Sequence, residues 1–317
     1  MKVVALAGGV GAGKFLRGLM RVVPARNITV IVNTADDLRV HGLHVSPDLD
    51  SVTYWLAGVA DRERGWGREG ETFRATTELG ERFGAEGAWF GLGDLDLATH
   101  LFRTAAMAGG ATLTQATAAV GERFGLAVRL LPMSDEPVTT VIEALDGDGT
   151  ALVLDFQEYW VARAARDDVK AIRFRGAERS RPAPGVLDAI RDADAVLICP
   201  SNPVVSIGPI LAVPGIRDAV AARRATVAGV SPIVGGAPLR GMADRLLPAW
   251  GVEVSAAGVA EHYRDLIGGW VIDDVDRAAA DRIRSLGLRV AVTDSIMVDD
   301  AAAESLARIA LETAGAG

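Results

Sequence analysis

Short, uniformly apolar runs alternate along the chain with amphipathic stretches, and most of the runs end in glycine, serine, asparagine or aspartate. "KVVALA" (2–7) and "ITVIVN" (28–33) have no polar face, so both predict strands covered on two sides. Between them the apolar positions from Phe15 to Val23 predict a helix. "DAVLICPSNPVVS", "RATVAGVSPIVGG" and "LRVAVTDSIM" repeat the form of a buried strand entering a polar turn, and Ala301 to Ala314 predicts a final helix. A helix is expected from near Asp50, and another over "GDLDLATHLFRTAAMAGG", with Asp94 as its cap and Gly109-Gly110 as its end. Thr114 is expected to cap the next, which runs to Phe124, and "DRERGWGREGE" (61–71) reads as a loop. This alternation predicts an α/β fold, a Rossmann-like, doubly wound, mostly parallel sheet. One stretch breaks the rhythm. "VTTVIEALDGDGTALVLDFQEYWV" places two β-rich runs around Asp146-Gly147-Asp148-Gly149, a hairpin. Residues 1–317 are therefore expected to form a single enlarged domain with a smaller subdomain inserted around 138–190.

Composition narrows the chemistry. The single cysteine, Cys199, excludes an internal disulfide, fits a reducing cytosol, and reads as a core residue of its apolar strand. No signal peptide and no stretch of about 18 uncharged apolar residues is visible, so a cytoplasmic protein without a membrane span is expected. The net charge of -8 disfavours a nucleic-acid partner. An acidic chain that binds phosphates must use backbone N–H groups, isolated cations or a metal.

"LAGGVGAGKFLRGL" (6–19) raises that question at once. A strand followed by Gly8, Gly9, Gly11 and Gly13 lets backbone amides approach a diphosphate at the start of a helix. Gly8 and Gly13-Lys14 have the spacing of a P-loop, but Phe15 stands where a P-loop needs a hydroxyl for magnesium. The dinucleotide fingerprint is also broken, because position 14 is lysine, although Asp36 and Asp37 follow the second strand where a ribose acid belongs. A tight turn without a ligand is the plain alternative.

"TADDLRVHGLHVSPDLD" supplies Asp36, Asp37, Asp48 and Asp50, with His41 and His44 between them. Hard oxygen donors beside a phosphate loop suit magnesium, and helix or turn capping accounts for one or two of the four. Asp96 and His100 are four apart and share a helix face, either as a cleft pair or as an ordinary i,i+4 contact. Ser201, Asn202 and Ser206 follow a strand, and Gly235, Gly236, Arg240 and Gly241 form a second glycine-rich element. Trp66 and Trp89 lie in glycine-rich loops where they could border a planar ligand. No serine nucleophile elbow and no zinc-type Cys/His spacing is present.

Taken in order, "GGVGAGKFLRGL", "VNTADDLRVHGLHVSPDLDSVTYWLAG", "WFGLGDLDLATHL", "LLPMSDEPV", "PSNPVVSIGPILAVPGIRDA" and "SPIVGGAPLRGMAD" resemble the 2-phospho-L-lactate transferases, CofD in archaea and FbiA in actinobacteria. The resemblance implies a magnesium-dependent step in coenzyme F-420 biosynthesis. A phospholactyl or phosphoenolpyruvyl group passes from a guanosine-diphospho three-carbon acid to the terminal ribityl hydroxyl of the deazaflavin Fo, releasing GMP. It implies that Gly8, Gly9, Val10, Gly11 and Gly13 face the guanosine diphosphate, with Ser201, Asn202, Gly235 and Arg240 completing that pocket. Asp37 and Asp50 are the implied catalytic magnesium ligands, with Asp48 beside them and Asp36 as an alternative. Asn33, Asp36, His41, Asp94 and His100 are placed at the Fo end, and a homodimer is expected. Lys14 is left without a role. A UDP-sugar-binding regulator of the same fold is the competing reading, disfavoured because its acidic stretch is expected to read "ADDGGSSG" rather than "ADDLRVHGLHVSPDLD".

Overall fold

A computed structural model of the chain describes residues 1–316. Seven apolar runs pair side by side, all in parallel: β1 (Val3–Ala7), β2 (Ile28–Val32), β3 (Arg129–Pro132), β4 (Ala195–Ile198), β5 (Val227–Val230), β6 (Gly269–Asp273) and β7 (Arg289–Thr293). Their order in the sheet is β7-β6-β5-β4-β1-β2-β3. Alternate residues of β1 feed two separate cores: Val4 and Leu6 join one, Val3, Ala5 and Ala7 the other. Both faces are covered, which is why the strands read as continuous apolar runs.

Several elements go beyond the sequence expectations, among them β6 and a hairpin beside the cleft. β6, "GWVID", is buried throughout, but so short a run, with Trp270, Val271 and Ile272 as its only large apolar residues, carries no periodicity to separate strand from helix. Inside the expected polar loop, Leu38–Val40 pairs antiparallel with Leu43–Val45 around His41 and Gly42, whose φ values of 51° and 78° suit a two-residue hairpin turn.

Helix α1 (Gly9–Val22) starts six residues before the expected Phe15. Its glycines serve close packing. A Cβ at Gly13 would lie 2.6 Å from Cγ of Trp55, and one at Gly11 would lie 2.4 Å from the carbonyl oxygen of Pro200. Helix α2 (Pro47–Ala57) begins with proline at its first position and ends at left-handed Gly58, so Asp48 and Asp50 both fall in its first turn. Helix α3 (Asp94–Ala108) is capped by the backbone of Gly93, so Asp94 is its first residue rather than its cap. Thr112, not Thr114, caps the helix Leu113–Arg123 through a reciprocal pair with Gln115. The last helix, α4 (Asp300–Thr313), packs on α1.

Thr139–Leu145 pairs antiparallel with both Ala151–Asp155 and Asp168–Arg175 to form a separate three-stranded sheet. Asp146 closes its hairpin by accepting from the amides of Asp148 (3.0 Å) and Thr150 (2.8 Å). Among the described residues no single helix is long and apolar enough to cross a membrane.

Candidate functional site

Strand order reverses between β1 and β4, the place where doubly wound sheets bind ligands beyond the carboxyl ends of their strands. A cleft of about 950 Å³ opens there. Its floor is the turn after β1, Gly8 to Gly11, at the amino end of α1. Ser201, from the turn after β4, donates its hydroxyl to the carbonyl of Gly8 (2.9 Å) and accepts from the Gly8 amide (3.2 Å). Asn202 lines the cleft while its Oδ1 accepts from the amides of Val204 (2.9 Å) and Val205 (3.3 Å). Both side chains hold the two turns in place.

The four acids of the 36–50 stretch separate sharply. Asp48 and Asp36 line the cleft. Asp48 packs against Gly8, where a Cβ would lie within 2.4 Å of its Oδ2. Burial pushes its carboxyl up to about 7, opposed by the Asn33 amide and the Gly9 amide. Asn33 is fully buried outside the cleft. It donates to Asp48 (2.9 Å) and to the carbonyl of Val205 (3.1 Å), so it positions the carboxylate instead of meeting a ligand. Oδ1 of Asp36 is buried without a hydrogen-bond partner, and burial with the Asp48 charge holds its carboxyl well above the usual range.

Asp37 and Asp50, the two magnesium ligands implied by the resemblance, are each bonded to other side chains, although Oδ1 of Asp37 is buried without a partner. Asp37 is outside the cleft lining and accepts from Ser46 Oγ (2.7 Å) and pairs with His44 Nε2 (2.9 Å). Asp50 reaches the cleft wall, but Arg103 of α3 grips both its oxygens, through Nη2 on Oδ1 and Nη1 on Oδ2 (3.0 Å). Arg103 is 1% exposed, and nothing in the sequence reading pointed to it. The signal was helical spacing: Asp96, His100 and Arg103 stand at i, i+4 and i+7 on one face of α3.

That face is the second acidic wall. Burial, with the Asp50 charge, pushes Asp96 up to about 7. His100 has Nδ1 3.4 Å from Arg103 and 3.5 Å from Asp50, and burial pushes its ring down to about 4, so the imidazole is neutral at physiological pH. Tyr54, whose hydroxyl is also buried without a partner, lies between Asp50 and Asp96 and is raised by burial and both charges.

Besides Asn33 and Asp37, the expected residues His41, Asp94, Gly235 and Gly13 lie outside the cleft lining. His41 is at the hairpin tip, with its ring against Gly87. Asp94 is drawn off by the hydroxyl of Thr72 and the amide of Ala75 (3.1 Å). Gly235 donates its amide to Asp276 (3.0 Å). Gly13 is likewise inside α1 against Trp55 and not on the phosphate-facing turn. Trp66 lines the rim and Trp89 does not. The inserted sheet contributes a wall no motif announced: Phe156, Gln157, Trp160 and Val161. Cys199 is buried, and burial pushes its thiol up, so it offers no nucleophile.

Among the described residues, no three His, Cys, Asp or Glu side chains converge as a ready-made metal cage. Asp36 and Asp48 nonetheless suit a magnesium ion shared with substrate phosphates, the regime of one or two carboxylates plus waters and phosphate oxygens. Their buried, mutually repelling oxygens, one without any partner, are what a cation would relieve.

Residues 3–310 match the family described as 2-phospho-L-lactate transferase CofD. The chain is 50% identical to a phosphoenolpyruvate transferase of Streptomyces griseus, over 99% of this chain and 98% of that one. It is 40% identical to a 2-phospho-L-lactate transferase of Methanosarcina mazei, over 98% of this chain and 99% of that one. A crystal structure of a UPF0052-family protein from Bacillus halodurans superposes with a TM-score of 0.62 at 17% identity, covering 98% of each chain, which speaks for the fold. Sheet, cleft and sequence thus agree, and the chain belongs to the 2-phospho-L-lactate transferase family, CofD, as a transferase.

Proposed function

We propose that the protein transfers a phosphoenolpyruvyl group from guanosine-diphospho-enolpyruvate to the terminal ribityl hydroxyl of Fo, with magnesium, releasing GMP. Enolpyruvate is preferred over lactate because the relatives named phosphoenolpyruvate transferase reach 50–51% identity, whereas the lactate enzyme stands at 40%. The observation that carries the reading is the pairing of a glycine turn with two cleft carboxylates, Asp36 and Asp48, at the switch point of the sheet.

The reaction forms a bond between the accepting oxygen and the phosphorus that bears the three-carbon acid. The bond from that phosphorus to the oxygen bridging to guanylate breaks, its electron pair stays on the guanylate phosphate, and the hydroxyl proton leaves to a base. Such a transfer needs positioning and charge neutralisation more than covalent work from the protein. The amides of Val10 and Gly11, at the positive end of α1, would meet the diphosphate, while the Gly9 amide holds Asp48 beside it. Asp36 and Asp48 would hold magnesium, which when bound neutralises diphosphate charge. Trp66 and Trp160, 45% and 40% exposed on the rim, offer aromatic faces to a planar deazaflavin. The homodimer and the cytoplasmic location implied by the resemblance belong to the same proposal.

Incubation with Fo, magnesium and, separately, the enolpyruvyl, lactyl and glyceryl donors tests it by product mass and GMP release. The expected result is one equivalent of GMP per product, fastest with enolpyruvate. Thermal stabilisation by UDP-sugars with no GMP release from any donor would overturn it.

A further inference from the structure

The cleft lining carries both signs of charge: Asp36, Asp48, Asp50 and Asp96 are its acids, and Lys14, Arg64 and Arg240 its cations. Arg64 is paired with Asp61 (2.8 Å), but Lys14 and Arg240 have no carboxylate partner among the described residues. Arg240 reaches over Gly65 and donates to the carbonyls of Glu63 and Arg64, both at 2.7 Å, which fixes its guanidinium at the cleft. Lys14 lies with its ammonium 5.7 Å from the centre of the Trp55 ring. Its side chain also borders a side cavity of about 100 Å³ with Arg62. Burial and the charges of Arg240 and Arg62 push the ammonium down, the mark of cations held together without a counter-ion. Lys14 stands in the second turn of α1, whose first residues are the glycine turn, and a helical lysine runs back toward the amino end.

Resting on the transferase reading above, we infer that Lys14 and Arg240 bind the phosphate of the departing guanylate and neutralise the charge that grows on it as the bridging P–O bond breaks. Arg240 lies over Gly65 beside Val10 of the glycine turn, and neither it nor Lys14 has a carboxylate to satisfy it, so these two cations are the ones left to stabilise that charge. Lys14 thereby gains a role in a loop that is not a P-loop.

Calorimetric titration of the full chain with GMP and with guanosine tests this in the wild type, Lys14→Met, Lys14→Arg and Arg240→Met. GMP affinity is expected to fall about tenfold or more in both methionine variants, as for loss of a charge-assisted hydrogen bond. Guanosine affinity should hold within about twofold, which also reports an intact fold, and Lys14→Arg should recover most of the GMP affinity. In turnover, kcat should fall with the KM for Fo unchanged. GMP affinity unchanged in both methionine variants overturns the inference while leaving the transferase reading standing. A wild type that binds UDP-sugars and not GMP overturns the transferase reading itself, and the inference with it.

Discussion

Asp48 and Asp50 are two residues apart in the first turn of one helix, yet they belong to different regions with opposite fates. The face of α2 toward the glycine turn keeps Asp48 facing the cleft beside Gly8, supported by a neutral amide from Asn33. The face toward α3 closes Asp50 into a two-point ion pair with buried Arg103. A carboxylate steadied by a neutral donor keeps its demand for a cation, whereas one matched to a guanidinium has that demand met. Availability for chemistry follows from the partner, not from position in a motif.

The sharpest way to break this comparison is Asp48→Asn. Loss of a carboxylate at the transferring phosphate should cut turnover about a thousandfold, roughly 4 kcal/mol in barrier, with cooperative unfolding intact. Turnover within about tenfold of wild type would remove Asp48 from the centre. Asp50→Asn should act on stability instead. It strands the buried Arg103 charge and should cost about 3–5 kcal/mol in urea unfolding, much of it recovered on adding Arg103→Met. A stable but inactive Asp50→Asn protein would return Asp50 to the chemistry.

Asp96→Asn sharpens the contrast by pH. The folded carboxyl titrates at about 7 against a usual value near 3.8, so its protonated form is favoured by folding. That contribution to stability is complete below pH 4 and is lost as pH rises through 7. The asparagine variant should therefore gain on wild type between pH 5 and 8, reaching on the order of 3 kcal/mol, read as a growing difference in Tm. An equal Tm difference at pH 5 and pH 8 would contradict it. The smallest effects belong to the residues outside the cleft: His41→Ala and Asp94→Ala should keep turnover within about twofold, near the limit of typical surface substitutions.

The two-sided sheet was legible because strands buried on both faces must be apolar at every position, as in Val3–Ala7 and Ile28–Val32. Gly269–Asp273 escaped notice because so short an apolar run has no period of its own. At the site, the glycine turn and the acidic stretch stand out in one dimension, but the division of labour among the acids does not. It depends on Arg103, fifty-three residues from Asp50, and on the Ser46–His44 clamp around Asp37. The aromatic wall of Phe156 and Trp160 comes from an inserted sheet whose hairpin is visible in sequence but whose docking on the cleft is not.

The sequence by itself determined the sheet, the glycine turn after the first strand and the presence of surplus carboxylates, because each is written in local composition and spacing. Only the tertiary structure decided that Asp36 and Asp48 face the cleft while Asp37 and Asp50 are bonded to other side chains, and that Lys14 and Arg240 line one cleft with the glycine turn. The reason is physical: a charge becomes reactive or inert according to its desolvation and its counter-ion, and both are set by residues that only folding brings near.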